Sequence, residues 1–200
     1  MLYDNTLECA IIDPGCSNRE EERQLVEFIE KNNLKPVLLL NTHCHIDHIL
    51  GNYFVADTYK LDLHIHKEDL PVLNAGTLIA ERYGFPYTAS PQPAHFLEEG
   101  QPVFFGNTRL EVIFTPGHSA GSICFINPLE KVIIAGDVLF NGSIGRTDLP
   151  GGDFETLKRS IQAKLYTLPE DYTVYPGHGD PTNIGKEKHT NPFVKAGLSF

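Results

Sequence analysis

Short apolar runs and helically spaced apolar positions alternate along the first part of the chain. The run LECAII at 7–12 indicates a strand, and the turn-forming residues 13–15 end it. Apolar residues then recur on one face of a predicted helix, and Ser17 with Glu20 has the spacing of a capping box at its start. The run PVLLL at 36–40 is typical of a buried strand.

The same patterns predict the remaining elements. A helix is expected after residues 41–48, ending near Tyr59. Residues 70–100 are less regular, with a short helix near 77–83, and Asp153 should cap a later helix. The other predicted elements are strands at 61–66 (LDLHIH), 103–105 (VFF), 110–114 (LEVIF), 122–126 (SICFI), 131–135 (KVIIA) and 172–175 (YTVY), and a short helix over 183–190.

This order of elements predicts the fold class. Strands and helices alternate early, strands then cluster, and the alternation resumes, which indicates an α/β chain with two sheets or one mixed sheet. A chain of 200 residues suits one domain, so we expect a single domain over 1–200.

Composition narrows the classes of function. Hydrophobic residues make up 41% of the chain, enough for a packed core, and 16 basic against 26 acidic residues give a net charge of −10. An acidic surface repels polyphosphate, so we expect no nucleic-acid partner. The sequence has no apolar run near the roughly 20 residues of a membrane helix, no signal peptide and no cysteine pair of CxxC type, which predicts no membrane partner and a cytoplasmic location.

The stretch NTHCHIDH at 41–48 concentrates chemistry directly after a predicted buried strand. In an extended segment, residues two apart point to the same side, so His43, His45 and Asp47 should share one side, while Cys44 points to the core. His48 follows at the start of the next helix. Imidazoles and a carboxylate gathered at one strand end favour a site for zinc, manganese or iron.

Three later strands each end in a glycine followed by one potential ligand. These pairs are Gly117-His118, Gly136-Asp137 and Gly177-His178. Ligands at the carboxyl ends of several strands are the usual way in which an α/β scaffold builds a site. Five histidines and two aspartates exceed the needs of one tetrahedral ion, so two divalent ions sharing one carboxylate are favoured, zinc first, with iron or manganese as alternatives.

These residues resemble the metallo-β-lactamase superfamily. His43 to His48 match its HxHxDH motif, and the later ligands follow in the same order from the 13–15 turn to about Pro192. The resemblance implies a four-layer αββα sandwich, with two mixed sheets and flanking helices. It also implies a first metal on His43, His45 and His118, a second metal on Asp47, His48 and His178, and Asp137 bridging both.

Within that superfamily the chain is similar to the glyoxalase II group, the hydroxyacylglutathione hydrolases, in their short bacterial form. The similarity rests on AGDVLFNGSIGRTDLPGGD and TNIGKEKHTNPF. It implies no C-terminal helical domain of the kind that helps longer members bind glutathione. Arg146 occupies the place of a basic residue that contacts the thiol carrier, and Lys188 is a second candidate for substrate binding.

The resemblance implies a metal-dependent hydrolase of a small-molecule acyl thioester such as S-lactoylglutathione. A metal-bound hydroxide would attack the thioester carbon, with Asp47 and Asp137 as the catalytic carboxylates. Three alternatives stay open: a mononuclear-iron persulfide dioxygenase, whose group shares the Gly-Arg-Thr-Asp stretch at 145–148, a lactonase, and a non-catalytic metal-binding module. The oligomeric state is not predicted.

Overall fold

The computed structural model describes residues 1–195, so the last five residues of the predicted domain 1–200 lie outside it. The helices are α1 (Arg19–Lys31), α2 (Ile46–Ile49), α3 (Asn52–Tyr59), α4 (Leu70–Tyr83), α5 (Phe154–Ala163) and α6 (Ile184–Thr190), with short 3₁₀ helices at Lys67–Asp69 and Leu165–Thr167. The strands are β1 (Leu2–Tyr3), β2 (Glu8–Ile12), β3 (Lys35–Leu40), β4 (Leu63–Ile65), β5 (His95–Phe96), β6 (Val103–Phe105), β7 (Thr108–Phe114), β8 (Ile123–Asn127), β9 (Val132–Gly136), β10 (Leu139–Phe140), β11 (Ser143–Ile144), β12 (Thr173–Pro176) and β13 (Thr182–Asn183).

The chain divides into two compact units. Within the described residues, the first comprises Met1–Leu97 with Val103–Arg109, and the second comprises Glu98–Pro102 with 110–195. The single domain expected from the length stays a prediction.

The first unit is built on a sheet with the strand order β1-β2-β3-β4-β5. Strand β1 is antiparallel to β2, and the pairs β2–β3, β3–β4 and β4–β5 are parallel. Leu39 and Ile49 are fully buried in its core, and Ile29 brings the apolar face of α1 into the same cluster. Because β2 and β3 are parallel and Ile12 pairs with Leu40, residues 13 and 41 leave the sheet side by side.

The second unit contains strands in the order β13-β12-β9-β8-β7. Strand β8 is antiparallel to both β7 and β9, and β9 is parallel to β12. Strands β7, β9 and β12 therefore run in one direction, and their carboxyl ends meet at one edge of the sheet. Leu157 and Ile161 attach α5 to a separate apolar core.

Two mixed sheets with flanking helices confirm the α/β class. Two local predictions were wrong: α4 begins at Leu70 and not near 77, and the N-cap of α1 is Asn18 and not Ser17. The hairpin of β10 and β11 was not predicted. In the part of the chain that the structure describes, no helix has both the length and the hydropathy needed to cross a bilayer.

Candidate metal centre

The chain that leaves β3 presents the first donor cluster, which consists of His43, His45, Asp47 and His48. His45 is extended, and α2 begins at Ile46, so Asp47 lies in the first turn of a helix. The prediction that Asp47 shares an extended side with the two preceding histidines was therefore wrong in its geometry. Cys44 is buried, as the alternation predicted.

The imidazoles of this cluster lie close together. The ring centroids of His43 and His45 are 4.8 Å apart, and those of His43 and His48 are 4.0 Å apart. His48 Nε2 lies 3.7 Å from Asp47 Oδ2. His43 and His48 are buried, whereas the Asp47 side chain is 47% exposed and reaches toward solvent.

Asp13, which the sequence pattern indicates only as part of a turn, supports the first donor cluster. Its carboxylate accepts hydrogen bonds from the Thr42 backbone N–H (2.7 Å), the Thr42 hydroxyl (2.6 Å) and the Asn41 amide (3.3 Å). His48 Nδ1 lies 3.2 Å from Asp13 Oδ2. Asp13 is identified only by the parallel pairing of β2 with β3, which sets it beside Asn41 and which no sequence pattern indicated.

These contacts fix which nitrogen of each buried histidine faces a metal. A carboxylate accepts, so neutral His48 donates from Nδ1 to Asp13 and keeps its lone pair on Nε2. The Thr42 hydroxyl already donates to Asp13, so His43 Nδ1, 3.1 Å from that hydroxyl, is the donor there. His43 then also keeps a lone pair on Nε2. Oxygen partners at Nδ1 are typical of histidines that ligate metals.

Asp69 holds the backbone between the two leading histidines. Its fully buried carboxylate accepts a hydrogen bond of 2.6 Å from the Cys44 N–H. Burial, with the nearby Asp69 charge adding to it, raises the pKa of the Cys44 thiol well above its ordinary value. Cys44 is therefore a protonated core residue.

The second donor cluster consists of His118, Asp137 and His178, at the carboxyl ends of β7, β9 and β12. Strand pairing sets Pro176 beside Gly136, so Asp137 and His178 follow neighbouring strand ends. Asp137 Oδ2 lies 3.6 Å from His118 Nε2 and 3.6 Å from His178 Nε2. His118 is buried, and the His178 side chain is 56% exposed.

The segment after β11 holds this cluster by its backbone. His118 Nδ1 donates to the Arg146 carbonyl oxygen at 2.7 Å, and a carbonyl can only accept, so neutral His118 keeps its lone pair on Nε2. Gly145 packs so closely on the Asp137 carbonyl that a Cβ there would overlap it. Gly145 is thus required by close approach, because no larger residue fits.

The two residues predicted to bind substrate lie in ion pairs in the second unit. The Arg146 guanidinium donates to both Asp148 oxygens, at 2.7 and 2.8 Å, and both side chains are exposed. These hydrogen bonds lower the pKa of Asp148 to about 2. Lys188 Nζ lies 3.8 Å from Glu170 Oε1.

The donor sets fit divalent metal ions. In each cluster, a nitrogen lone pair faces a carboxylate oxygen at 3.6–3.7 Å, too far for a hydrogen bond and close enough to repel. Two donors bound about 2.0–2.1 Å from one tetrahedral ion lie about 3.3 Å apart, near the observed spacing. A cation would convert both repulsions into attraction.

The remaining histidines have local partners. His64 pairs with His95 across β4 and β5, with ring centroids 4.7 Å apart. His66 Nδ1 accepts from the Glu68 N–H at the start of a 3₁₀ helix, and His189 lies 3.1 Å from Glu170.

Comparison with known proteins identifies the family. The model of the metallo-beta-lactamase superfamily matches residues 1–178. The chain is 36% identical to hydroxyacylglutathione hydrolase GloC of Haemophilus influenzae, over 98% of this chain and 92% of that protein. It is 38% identical to the probable metallo-hydrolase YqgX of Bacillus subtilis, over 94% of this chain and 87% of that protein.

Solved structures support the same fold. The BLEG-1 B3 metallo-beta-lactamase matches with a TM-score of 0.86 and 36% identity, over 96% of this chain and 91% of that one. TTHA1623 in a di-iron-bound form matches with a TM-score of 0.82 and 37% identity, over 92% and 88%. ETHE1 from Myxococcus xanthus matches with a TM-score of 0.78 and 25% identity, over 96% and 77%. With its strand-end histidines and aspartates, the chain belongs to the metallo-β-lactamase superfamily and has its fold.

Proposed function

We propose that this member of a metallo-hydrolase family hydrolyses an acyl thioester, with S-lactoylglutathione as the first substrate to test. The observation that carries the proposal is the position of Asp137, one of whose oxygens lies 3.6 Å from Nε2 of two different histidines. A carboxylate in that position can be shared by two ions. The family resemblance then implies that all seven donors of the two clusters serve one binuclear centre, with zinc as the first metal to test.

The residues of the two donor clusters would have different roles in the reaction. The buried His43, His48 and His118 present lone pairs on Nε2, because each Nδ1 is held by an oxygen. The half-exposed Asp47 carboxylate, in the first turn of α2, can accept a hydrogen bond from an O–H group on the solvent side and orient that group. A divalent ion bound by these groups supplies Lewis acidity, which lowers the pKa of water to about 7 and polarises a carbonyl.

The proposed substrate is based on one similar protein of known name and on two cationic side chains. A protein 36% identical over almost the whole chain is named a hydroxyacylglutathione hydrolase. Arg146 and Lys188 are our candidates for the anionic end of such a substrate. Since Asp148 and Glu170 pair with these cations, a substrate carboxylate would have to replace them. A small-molecule partner and a cytoplasmic location belong to the same proposal.

The Gly-Arg-Thr-Asp stretch at 145–148, which suggested a persulfide dioxygenase, has another explanation. Its glycine packs on the Asp137 carbonyl, and the Arg146 carbonyl orients His118. Both contacts support metal ligands by backbone atoms. The stretch would therefore be needed for either reaction, and it gives the dioxygenase no preference over the hydrolase.

The test is hydrolysis of S-lactoylglutathione by the purified chain with measured metal content. Asp137→Ala should lose bound metal and thioesterase activity together. Asp171→Ala, the same change at an exposed aspartate paired with Lys131, should retain both. An active, metal-replete Asp137→Ala variant would refute the site. Metal-replete wild type that leaves the thioester intact would refute the substrate, and oxygen uptake with glutathione persulfide or lactone hydrolysis would then identify the reaction.

A further inference from the structure

Glu187 on α6 is a buried carboxylate outside both donor clusters. Its side chain is fully excluded from solvent. Burial of a carboxylate is costly unless hydrogen bonds compensate it, so such a group is kept only where its partners need it. Glu187 lies on a short helix nine residues after His178, and among the described residues it belongs to no group of ligand atoms close enough to hold an ion.

Three donors from three segments converge on Glu187. The Thr182 hydroxyl donates to Oε1 at 2.5 Å, and the Asn191 amide donates to Oε2 at 2.8 Å. The Gly142 N–H donates to Oε2 at 3.0 Å. Asn191 also donates to the Ser143 carbonyl at 3.0 Å, so α6 holds the turn of the β10–β11 hairpin at two successive residues.

Along the chain, the hairpin held in this way lies between Asp137 of the second donor cluster and residues 145–146, which support that cluster. Strand β10 begins two residues after Asp137, and β11 ends at Ile144, directly before Gly145 and Arg146. Gly145 packs on the Asp137 carbonyl, and the Arg146 carbonyl accepts from His118 Nδ1. A shift of the hairpin would therefore move the contacts that orient two metal ligands.

We infer that Glu187 is a positioning residue of the metal centre, which fixes the β10–β11 hairpin so that Asp137 and His118 keep their ligand geometry. The inference rests on the proposed function only in requiring metal at those two ligands. It does not depend on which substrate is hydrolysed.

The other contacts to the same turn are exposed and offer a comparison. Lys186 Nζ donates to Asn141 Oδ1 at 2.6 Å, and Asn141 donates to the Pro181 carbonyl at 3.2 Å. Water can replace exposed bonds of this kind at little cost, but it cannot reach Glu187. The buried carboxylate should therefore dominate the placement of the hairpin.

The experiment compares Glu187→Gln with wild type by hydrogen–deuterium exchange of the metal-free protein and by zinc affinity in competition with a chromophoric chelator. Glutamine retains the shape of glutamate but removes its charge. Its NH₂ would face the Thr182 hydroxyl, which can accept, and its single oxygen would hold Gly142 and Asn191 by neutral and therefore weaker hydrogen bonds. We expect faster exchange in peptides covering 138–146, with exchange in β8 unchanged, and zinc affinity about tenfold weaker. Thr182→Val, which removes one donor, gives a milder variant should Glu187→Gln fold poorly.

Two control variants test the specificity of the effect. Glu130→Gln makes the same change at an exposed turn residue, and Lys186→Ala removes the exposed bond to the hairpin turn. Both should keep wild-type zinc affinity. Two results in Glu187→Gln or Thr182→Val would overturn the inference. One is unchanged exchange in 138–146, and the other is a uniform rise of exchange that includes β8. Loss of zinc affinity in Glu187→Gln, beside a wild type inactive on thioesters, would support the inference while refuting the proposed substrate.

Discussion

Asp13 has a left-handed backbone and a largely buried carboxylate, and each costs free energy that an ordinary surface aspartate avoids. Its backbone is left-handed, with φ of 49°, and its side chain is only 13% exposed. A left-handed residue other than glycine costs about 1–2 kcal/mol. The hydrogen bonds from Thr42 and Asn41, with the contact to His48 Nδ1, offset that cost only while the carboxylate stays in place.

Asp13→Asn should weaken zinc binding by roughly 10- to 100-fold, because it removes the charge that orients His48. Competition with a chelator of known affinity measures the effect. Asp57→Asn, at an exposed aspartate paired with Lys60, is the matched control and should bind zinc like wild type. Equal affinities in the two variants would show that Asp13 has no role in metal binding.

Asp148 reports whether Arg146 is engaged in the protein without substrate. The two hydrogen bonds from Arg146 lower the pKa of Asp148 from 3.8 to about 2. A lowered pKa means that this ion pair stabilises the fold above pH 3.8 and that its contribution is lost as the pH falls through about 2.

Carboxyl ¹³C NMR should therefore show Asp148 titrating near pH 2 in wild type, and near its ordinary value in Arg146→Gln. Binding of an anionic substrate analogue to Arg146 would raise the pKa of Asp148 by drawing the guanidinium away. If a saturating concentration of the analogue leaves the pKa of Asp148 unchanged, Arg146 does not bind the substrate.

The metal-ligand candidates at the strand ends could be predicted from the sequence, but the residues that hold them in place, Asp13 and Glu187, could not. The donors follow apolar runs within a few positions, so local pattern finds them. Asp13 meets His48 by the pairing of β2 with β3, and Glu187 meets Gly142 across 45 residues. No periodicity in the chain encodes such long-range contacts between single polar atoms.

At the scale of elements, the start of α1 shows how a local pattern can be displaced by one residue. The Asn18 side chain accepts from the N–H groups of Glu20 and Glu21, so it is the N-cap. Glu21, and not Glu20, reaches back to the Ser17 N–H at 2.6 Å. Both Ser and Asn cap helices well, so the sequence alone could not choose between the two alignments.

Asn18→Ala should lower the free energy of unfolding by about 1 kcal/mol, because two helix N–H groups lose their acceptor. Ser17→Ala keeps the backbone bond to Glu21 and should have less than half that effect. Urea denaturation of both variants gives the comparison. The opposite ranking would restore Ser17 as the cap.

Helix α4 was underestimated because its sequence contains poor helix formers. Pro71 is tolerated since it lies in the first turn, where its missing N–H has no partner to lose. Gly76 weakens the helical pattern, yet it suits the packing, because a Cβ there would lie 2.9 Å from the Tyr87 hydroxyl and that side chain would have to shift. Helix α4 is therefore longer than local helix propensity predicted, because tertiary contacts stabilise it.

At the scale of the whole molecule, bound metal should stabilise the fold. An ion present at 100 times its dissociation constant adds about 2.7 kcal/mol, which raises the Tm of a chain of this size by roughly 5–11 °C. Differential scanning calorimetry with and without a chelator measures this shift. Asp137→Ala should show a smaller shift, and an equal shift would place the stabilising ion elsewhere.

The compact spacing of the first donor cluster has a consequence for the unfolded chain. Three histidines and an aspartate lie within six positions, so the unfolded chain can bind an ion weakly through them before any strand has formed. His118, Asp137 and His178 come close to one another only after distant strands have paired. A nascent chain could therefore bind its first ion during synthesis. Excess zinc in a refolding mixture would bind the unfolded chain and slow its folding.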